Sequence, residues 1–133
     1  MTTREGEAVF GLSRIGQIAI GVEDLERATA FYRDILGLRF LFTAPPGMAF
    51  FDCGGIRLLL GGPESGAQDP GSGVLYYFVD DIRSAVDTLR SRGVRFEKEA
   101  TMIARLSDRE VWLAEFQDSE GNPAALMSEP PLS

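Results

Sequence analysis

Three side chains able to do chemistry stand in apolar, strand-like runs. They are Asp52 and Cys53 in Phe50-Phe51-Asp52-Cys53, and Glu115 in Val111-Trp112-Leu113-Ala114-Glu115-Phe116-Gln117. Residues two apart on a strand share a face, so Leu113, Glu115 and Gln117 lie together and Trp112, Ala114 and Phe116 oppose them. Turned toward a ligand, Glu115 could hold a cation or act as a general base; turned toward water, it is a solvated charge. Asp52 allows the same two readings, a strand-end charge beside Gly54-Gly55 or a polar group at the mouth of a cleft. Cys53 has no basic neighbour in sequence, and the chain has no histidine to activate it, so it reads as an inert thiol. The same lack excludes serine or cysteine triads of the histidine type. It also argues against zinc, nickel, iron or manganese centres, which rely on imidazole with carboxylates.

The composition narrows the setting. A chain of 133 residues is one domain's length, enough to remove roughly two thirds of the unfolded surface from water. One cysteine supports no disulfide framework. No apolar run approaches ~18 residues and no basic, hydrophobic leader is present, so a cytoplasmic protein without a membrane span is expected. The net charge is −7, with Lys and Arg scattered among acids, which argues against nucleic acid as a partner. An acidic surface favours a cationic ligand only weakly.

These residues need elements to position them, and the chain supplies the same set twice. Val22-Glu23-Asp24-Leu25 with Ala28, followed by Gly37-Leu38-Arg39-Phe40, is matched about 57 positions later by Val79-Asp80-Asp81-Ile82 with Ala85 and Gly93-Val94-Arg95-Phe96. Each copy reads as a strand, an Asp-capped helix, a glycine stop and further strands. In the first, Ile15 to Val22 is a strand, and Leu25, Ala28, Phe31, Tyr32, Ile35 and Leu36 form one helical stripe that Gly37 ends. Strands are expected at Leu38 to Thr43, Met48 to Cys53 and Ile56 to Leu60, with Gly54-Gly55 as a two-residue hairpin turn. In the second, Val74 to Val79 is a strand, Ile82, Ala85, Val86 and Leu89 mark a helix, and strands follow near Val94 to Glu97, Val111 to Gln117 and Ala124 to Met127. Asp118 to Asn122 is a turn. Residues 98–109 read as an irregular strand and loop. Residues 1–13 have no counterpart and form an N-terminal arm. The single domain spans 14–133, with modules at about 15–61 and 73–128 joined by the Gly- and Pro-rich linker 61–73. The expected class is α+β, two tandem βαβββ modules forming a curved mixed-sheet cleft with the helices outside.

Paired modules of this kind, the Val-x-Asp-Leu-x-x-Ala…Phe-Tyr-x-x-x-Leu-Gly-Leu run of the first helix, and Asp-Ser-Glu-Gly-Asn before the last strand together resemble the vicinal oxygen chelate superfamily. That is the glyoxalase, bleomycin-resistance and extradiol dioxygenase group, and the match covers about residues 15 to 128. The resemblance implies one divalent metal in the cleft, held by a histidine from each module's first strand and a carboxylate late in each module. The matching positions here are Gln17, Leu58, Val74 and Ala125, so it implies a member without metal or other cofactor. An all-oxygen site could be sought only from Asp52, Glu110 or Glu115.

Alternation from those four positions gives the cleft lining that the resemblance implies: Gln17, Ala19, Leu58, Leu60, Val74, Tyr76, Phe78, Ala125 and Met127, with Trp112 and Glu115 added from the Val111 to Gln117 strand. Such a lining suits a flat hydrophobic ligand held by stacking and one or two hydrogen bonds; the same side chains could instead fill the cleft as core. Gln17 is expected as a buried amide, partnered by a ligand or by Tyr76. Two functions follow. The first is a metal-free protein of the bleomycin-resistance type, a homodimer sequestering a hydrophobic, aromatic or cationic small molecule. The second is a cofactor-free isomerase or lyase with Glu115 or Asp52 as base and Tyr76 or Gln17 stabilising an oxyanion.

Overall fold

A computed structural model describes residues 10–66 and 74–132. Both copies of the repeat fold as a helix over a four-stranded mixed sheet. The first comprises β1 (Gln17–Gly21), α1 (Leu25–Ala30), β2 (Arg39–Ala44), β3 (Met48–Cys53) and β4 (Ile56–Gly61); the second comprises β5 (Leu75–Phe78), α2 (Ile82–Ser91), β6 (Thr101–Arg105), β7 (Glu110–Gln117) and β8 (Pro123–Ser128). Strand order is β1-β4-β3-β2 in one sheet and β5-β8-β7-β6 in the other, the outer pairs β1·β4 and β5·β8 being parallel. The expected linker lies partly outside the described residues, at 67–73, and so do residues 1–9 of the arm.

Local sequence accounts for these elements. Asp24 and Asp81 cap the two helices by accepting hydrogen bonds from the Arg27 and Ser84 amides at 3.0 and 3.1 Å. Gly37 and Gly93 follow the helices with φ of +79° and +95°, a backbone state that other residues adopt only with strain. Gly54 and Gly55 are also both at positive φ, as a tight β3–β4 hairpin requires. After Ala30 the first helix widens into a π-helical stretch, Phe31–Ile35, in which the Leu36 amide reaches the Phe31 carbonyl at 3.0 Å. Its first two residues, Phe31 and Tyr32, are both buried.

One expectation of secondary structure needs correction. No strand forms at Val94 to Glu97, where Val94 and Phe96 are buried by packing, the Phe96 and Phe116 ring centres lying 5.4 Å apart; the next strand is β6, bulged after Met102, within the segment 98–109 expected as an irregular strand and loop. The Asp118 to Asn122 turn forms as expected, with Gly121 at positive φ.

The helices cover one face of each sheet. Ala28, Phe31 and Tyr32 meet Ala49, Phe51, Leu58 and Leu60 from β3 and β4, while Ile82, Val86 and Leu89 meet Ala114, Phe116, Ala124 and Leu126 from β7 and β8; all belong to one continuous core. The β7–β8 turn joins the modules. Tyr32 donates its hydroxyl proton to Asp118 Oδ2 at 2.7 Å, Asn122 Nδ2 donates to the Gly21 carbonyl at 3.3 Å, and Arg27 grips Glu120 through Nε and Nη2 at 2.7 and 2.9 Å. Arg92 adds a bond from Nη1 to the Ile35 carbonyl at 2.8 Å. Among the described residues no helix is long and apolar enough to cross a membrane.

Candidate functional site

The face of each sheet turned away from its helix is open, and strand register fixes which side chains it carries. Partners directly across a ladder lie on the same face. On the first sheet one row reads Gln17, Arg57, Asp52, Arg39 and the next Ala19, Leu59, Phe50, Phe42. A bulge at Leu41 lets Phe40 pair with Phe51 on the helix side while Phe42 pairs with Phe50 on the open side. The Phe42 and Phe50 rings lie 4.7 Å apart. On the second sheet one row reads Tyr76, Ala125, Glu115 and the next Phe78, Met127, Leu113, Thr101.

Most expected lining residues therefore share the open faces: Gln17, Ala19, Tyr76, Phe78, Ala125, Met127 and Glu115, with Val74 exposed just before β5 and in step with Tyr76. Asp52 is on the open face too. Three residues are not. Leu58 and Leu60 are buried in the core under α1, and Arg57 and Leu59 take the open positions in their place. Anchoring β4 on Leu58 set the strand one residue out of step, which exchanges its faces. The three leucines show no alternation; the polar Arg57 beside them was the available signal. Trp112 faces the helix side, where the Arg83 guanidinium sits 5.4 Å from its ring centre and Glu110 accepts its indole N–H at 3.0 Å.

Gln17 also differs from expectation. It is exposed, and its amide oxygen accepts a hydrogen bond from Arg57 Nε at 2.9 Å; neither Tyr76 nor burial is involved. The Arg57 guanidinium in turn lies 5.6 Å from the centre of the Phe50 ring. Cys53 lies on the helix side, where burial, aided by Asp52, pushes its thiol up from the usual cysteine range, so it is a poor nucleophile.

A divalent metal does not fit the positions that the fold would use. Gln17 offers one amide oxygen already bonded to a guanidinium, Leu59, Val74 and Ala125 offer hydrocarbon, and the positive charge of Arg57 stands beside them. Among the described residues no group of three or more Cys, Asp or Glu side chains is gathered as ligands.

What the site shares with other proteins is its scaffold. Residues 14–126 match the Glyoxalase/Bleomycin resistance protein/Dioxygenase superfamily. The chain belongs to that superfamily. Among sequence relatives, the mitochondrial methylmalonyl-CoA epimerase of Mus musculus is 30% identical over 108 residues, covering 69% of this chain; the match spans 60% of the epimerase. The structure superposes on a lactoylglutathione lyase from Agrobacterium tumefaciens with a TM-score of 0.73 at 23% identity, covering 89% and 95% of the two chains. It also superposes on TnmS3, an antibiotic-binding protein from Streptomyces sp. CB03234, with a TM-score of 0.68 at 21% identity, covering 91% and 99%. At those identities the two superpositions establish the glyoxalase fold and leave the chemistry to the residues present.

Proposed function

We propose that this superfamily member is a cytoplasmic, metal-free small-molecule-binding protein, sequestering a flat hydrophobic, aromatic or cationic ligand on the open sheet faces. The observation that carries this reading is the exposure of large apolar side chains along those faces: Phe78 at 70%, Tyr76 at 51% and Phe42 at 45%. Such side chains on a sheet are normally covered, and an exposed apolar patch marks a surface with a partner. TnmS3 shows that the scaffold serves binding in at least one protein. We propose a homodimer as the working assembly. Native mass spectrometry of the purified protein reads both points in one spectrum. A dimer retaining an organic adduct supports the reading, and a stoichiometric divalent metal overturns it.

One observation favours a second reading, a cofactor-free isomerase or lyase. Glu115 and Tyr76 flank the small, buried Ala125 in a single row, two strand spacings apart, or about 10 Å. A substrate lying over Ala125 would have a carboxylate base on one side and a hydroxyl donor on the other. The methylmalonyl-CoA epimerase relative is an isomerase by name, which makes this class worth assaying. Glu115→Gln separates the readings: turnover collapses under the second, whereas only affinity for cationic ligands falls under the first.

A further inference from the structure

We propose that the ligand is an aromatic acid, its carboxylate taken by Arg57 and its ring laid along the apolar row of Ala19, Leu59 and Phe42; this rests on the small-molecule reading above. Arg57 is held at two points. Its Nε–H is spent on Gln17 at 2.9 Å and its guanidinium plane is supported by the Phe50 ring. That leaves the two terminal Nη groups, and among the described residues neither has a hydrogen-bond partner. Side by side at the end of a fixed plane, they form the fork that matches the two oxygens of a carboxylate.

The ion pair that the register offers is not made. Asp52 is the direct cross-strand partner of Arg57, yet no salt bridge joins them among the described residues, and Asp52 makes none with Arg39 on its other side. The row Gln17, Arg57, Asp52, Arg39 thus carries two guanidinium groups against one carboxylate, a local excess of positive charge in a chain whose net charge is −7. A cationic ligand on this face would meet both arginines. The apolar row lies one residue pair along the strands, about 7 Å away. A carboxylate attached directly to a fused ring spans that distance, so one molecule can occupy the fork and the apolar row together.

The test uses three probes of one shape, 2-naphthoate, 2-naphthylmethanol and 2-naphthylmethylamine, titrated into the full-length protein near neutral pH and low salt by calorimetry, with wild type, Arg57→Gln and Arg57→Lys compared. The expected result is that naphthoate binds at least about tenfold more tightly than the alcohol, with the amine weakest. Arg57→Gln should bring naphthoate down to the level of the alcohol and leave the alcohol unchanged. Arg57→Lys, which keeps the charge without the fork, should fall between. Arg57 is exposed, and matching melting curves will confirm that its variants fold. Equal binding of the three probes, preference for the amine, or a naphthoate preference that survives Arg57→Gln would overturn the acid proposal while leaving a small-molecule site standing. No binding of any probe at about millimolar concentration would overturn both.

Discussion

Glu120 holds the two modules together, and its contribution to stability can be worked from its surroundings. The side chain has no exposed surface. It accepts hydrogen bonds from Arg27 Nε and Nη2, from the backbone amides of Glu23 and Asp24 at 3.2 and 3.0 Å, and from Ser119 Oγ at 2.9 Å. The Arg27 hydrogen bonds, with those from the Asp24 amide and Ser119, outweigh the cost of burial and lower its pKa from the usual 4.5 to about 2. A factor of ten in acidity is worth about 1.4 kcal/mol, so the ceiling is about 3 kcal/mol. Arg27 is 54% exposed and screened by water, which reduces the expectation to about 1–2 kcal/mol. Because the folded pKa is depressed, this stability is fully present above the unfolded value near 4.5 and is lost as pH falls toward 2. Glu120→Gln should therefore lower the melting temperature by about 4–8 °C at neutral pH. The gap between the two proteins should hold down to about pH 5 and close below it. Thermal or urea unfolding of both proteins across that range checks this. A neutral-pH gap under about 0.5 kcal/mol, or one that does not narrow in acid, would refute the coupling.

Two hydroxyls at the junction should behave oppositely. Tyr32 donates to the Asp118 carboxylate, and burial together with that negative charge pushes its phenol well above the usual range; Tyr32→Phe should cost about 1.5–3 kcal/mol in chemical denaturation. Among the described residues the buried Tyr77 hydroxyl has no hydrogen-bond partner, so Tyr77→Phe should be neutral or stabilising by up to about 1 kcal/mol; a loss of that size instead would reveal a bound water at the hydroxyl.

Much of the architecture was legible because it rests on local rules that repeat. The Asp caps and the glycine stops are backbone requirements that only a few residue types meet, and the chain meets them twice in the same order; the Gly54-Gly55 hairpin is a requirement of the same kind, met once. The π-helical widening was not legible, since Phe31-Tyr32 suits an ordinary amphipathic stripe as well. Val94 to Phe96 alternates like a strand, but its apolar residues are satisfied by burial without ladder bonds. In the site, alternation placed Tyr76 and Ala125 on one face, but it left the side of Glu115 open, since a lone acid on a strand suits either face and only the β7·β8 register sets Glu115 beside Ala125. Alternation failed on β4, where three consecutive leucines fit either face. The Gln17–Arg57 pair was out of reach for a further reason: it joins residues 40 positions apart, and only the parallel β1·β4 register brings them side by side.

The junction has a consequence for how the two halves of the repeat can combine. The first half contributes the donors Arg27 and Tyr32 from its helix, and the second contributes the acceptors Asp118 and Glu120 from its hairpin. At the corresponding helix positions, 57 residues on, the second half has Ser84 and Leu89, and the hairpin of the first half is Gly54-Gly55. Neither half can satisfy a copy of itself. Two first halves would bring donors to a hairpin without side chains, and two second halves would leave buried carboxylates facing serine and leucine. Expressed as separate polypeptides, the halves would form the mixed pair only, so the duplicated sequence has become a matched plug and socket.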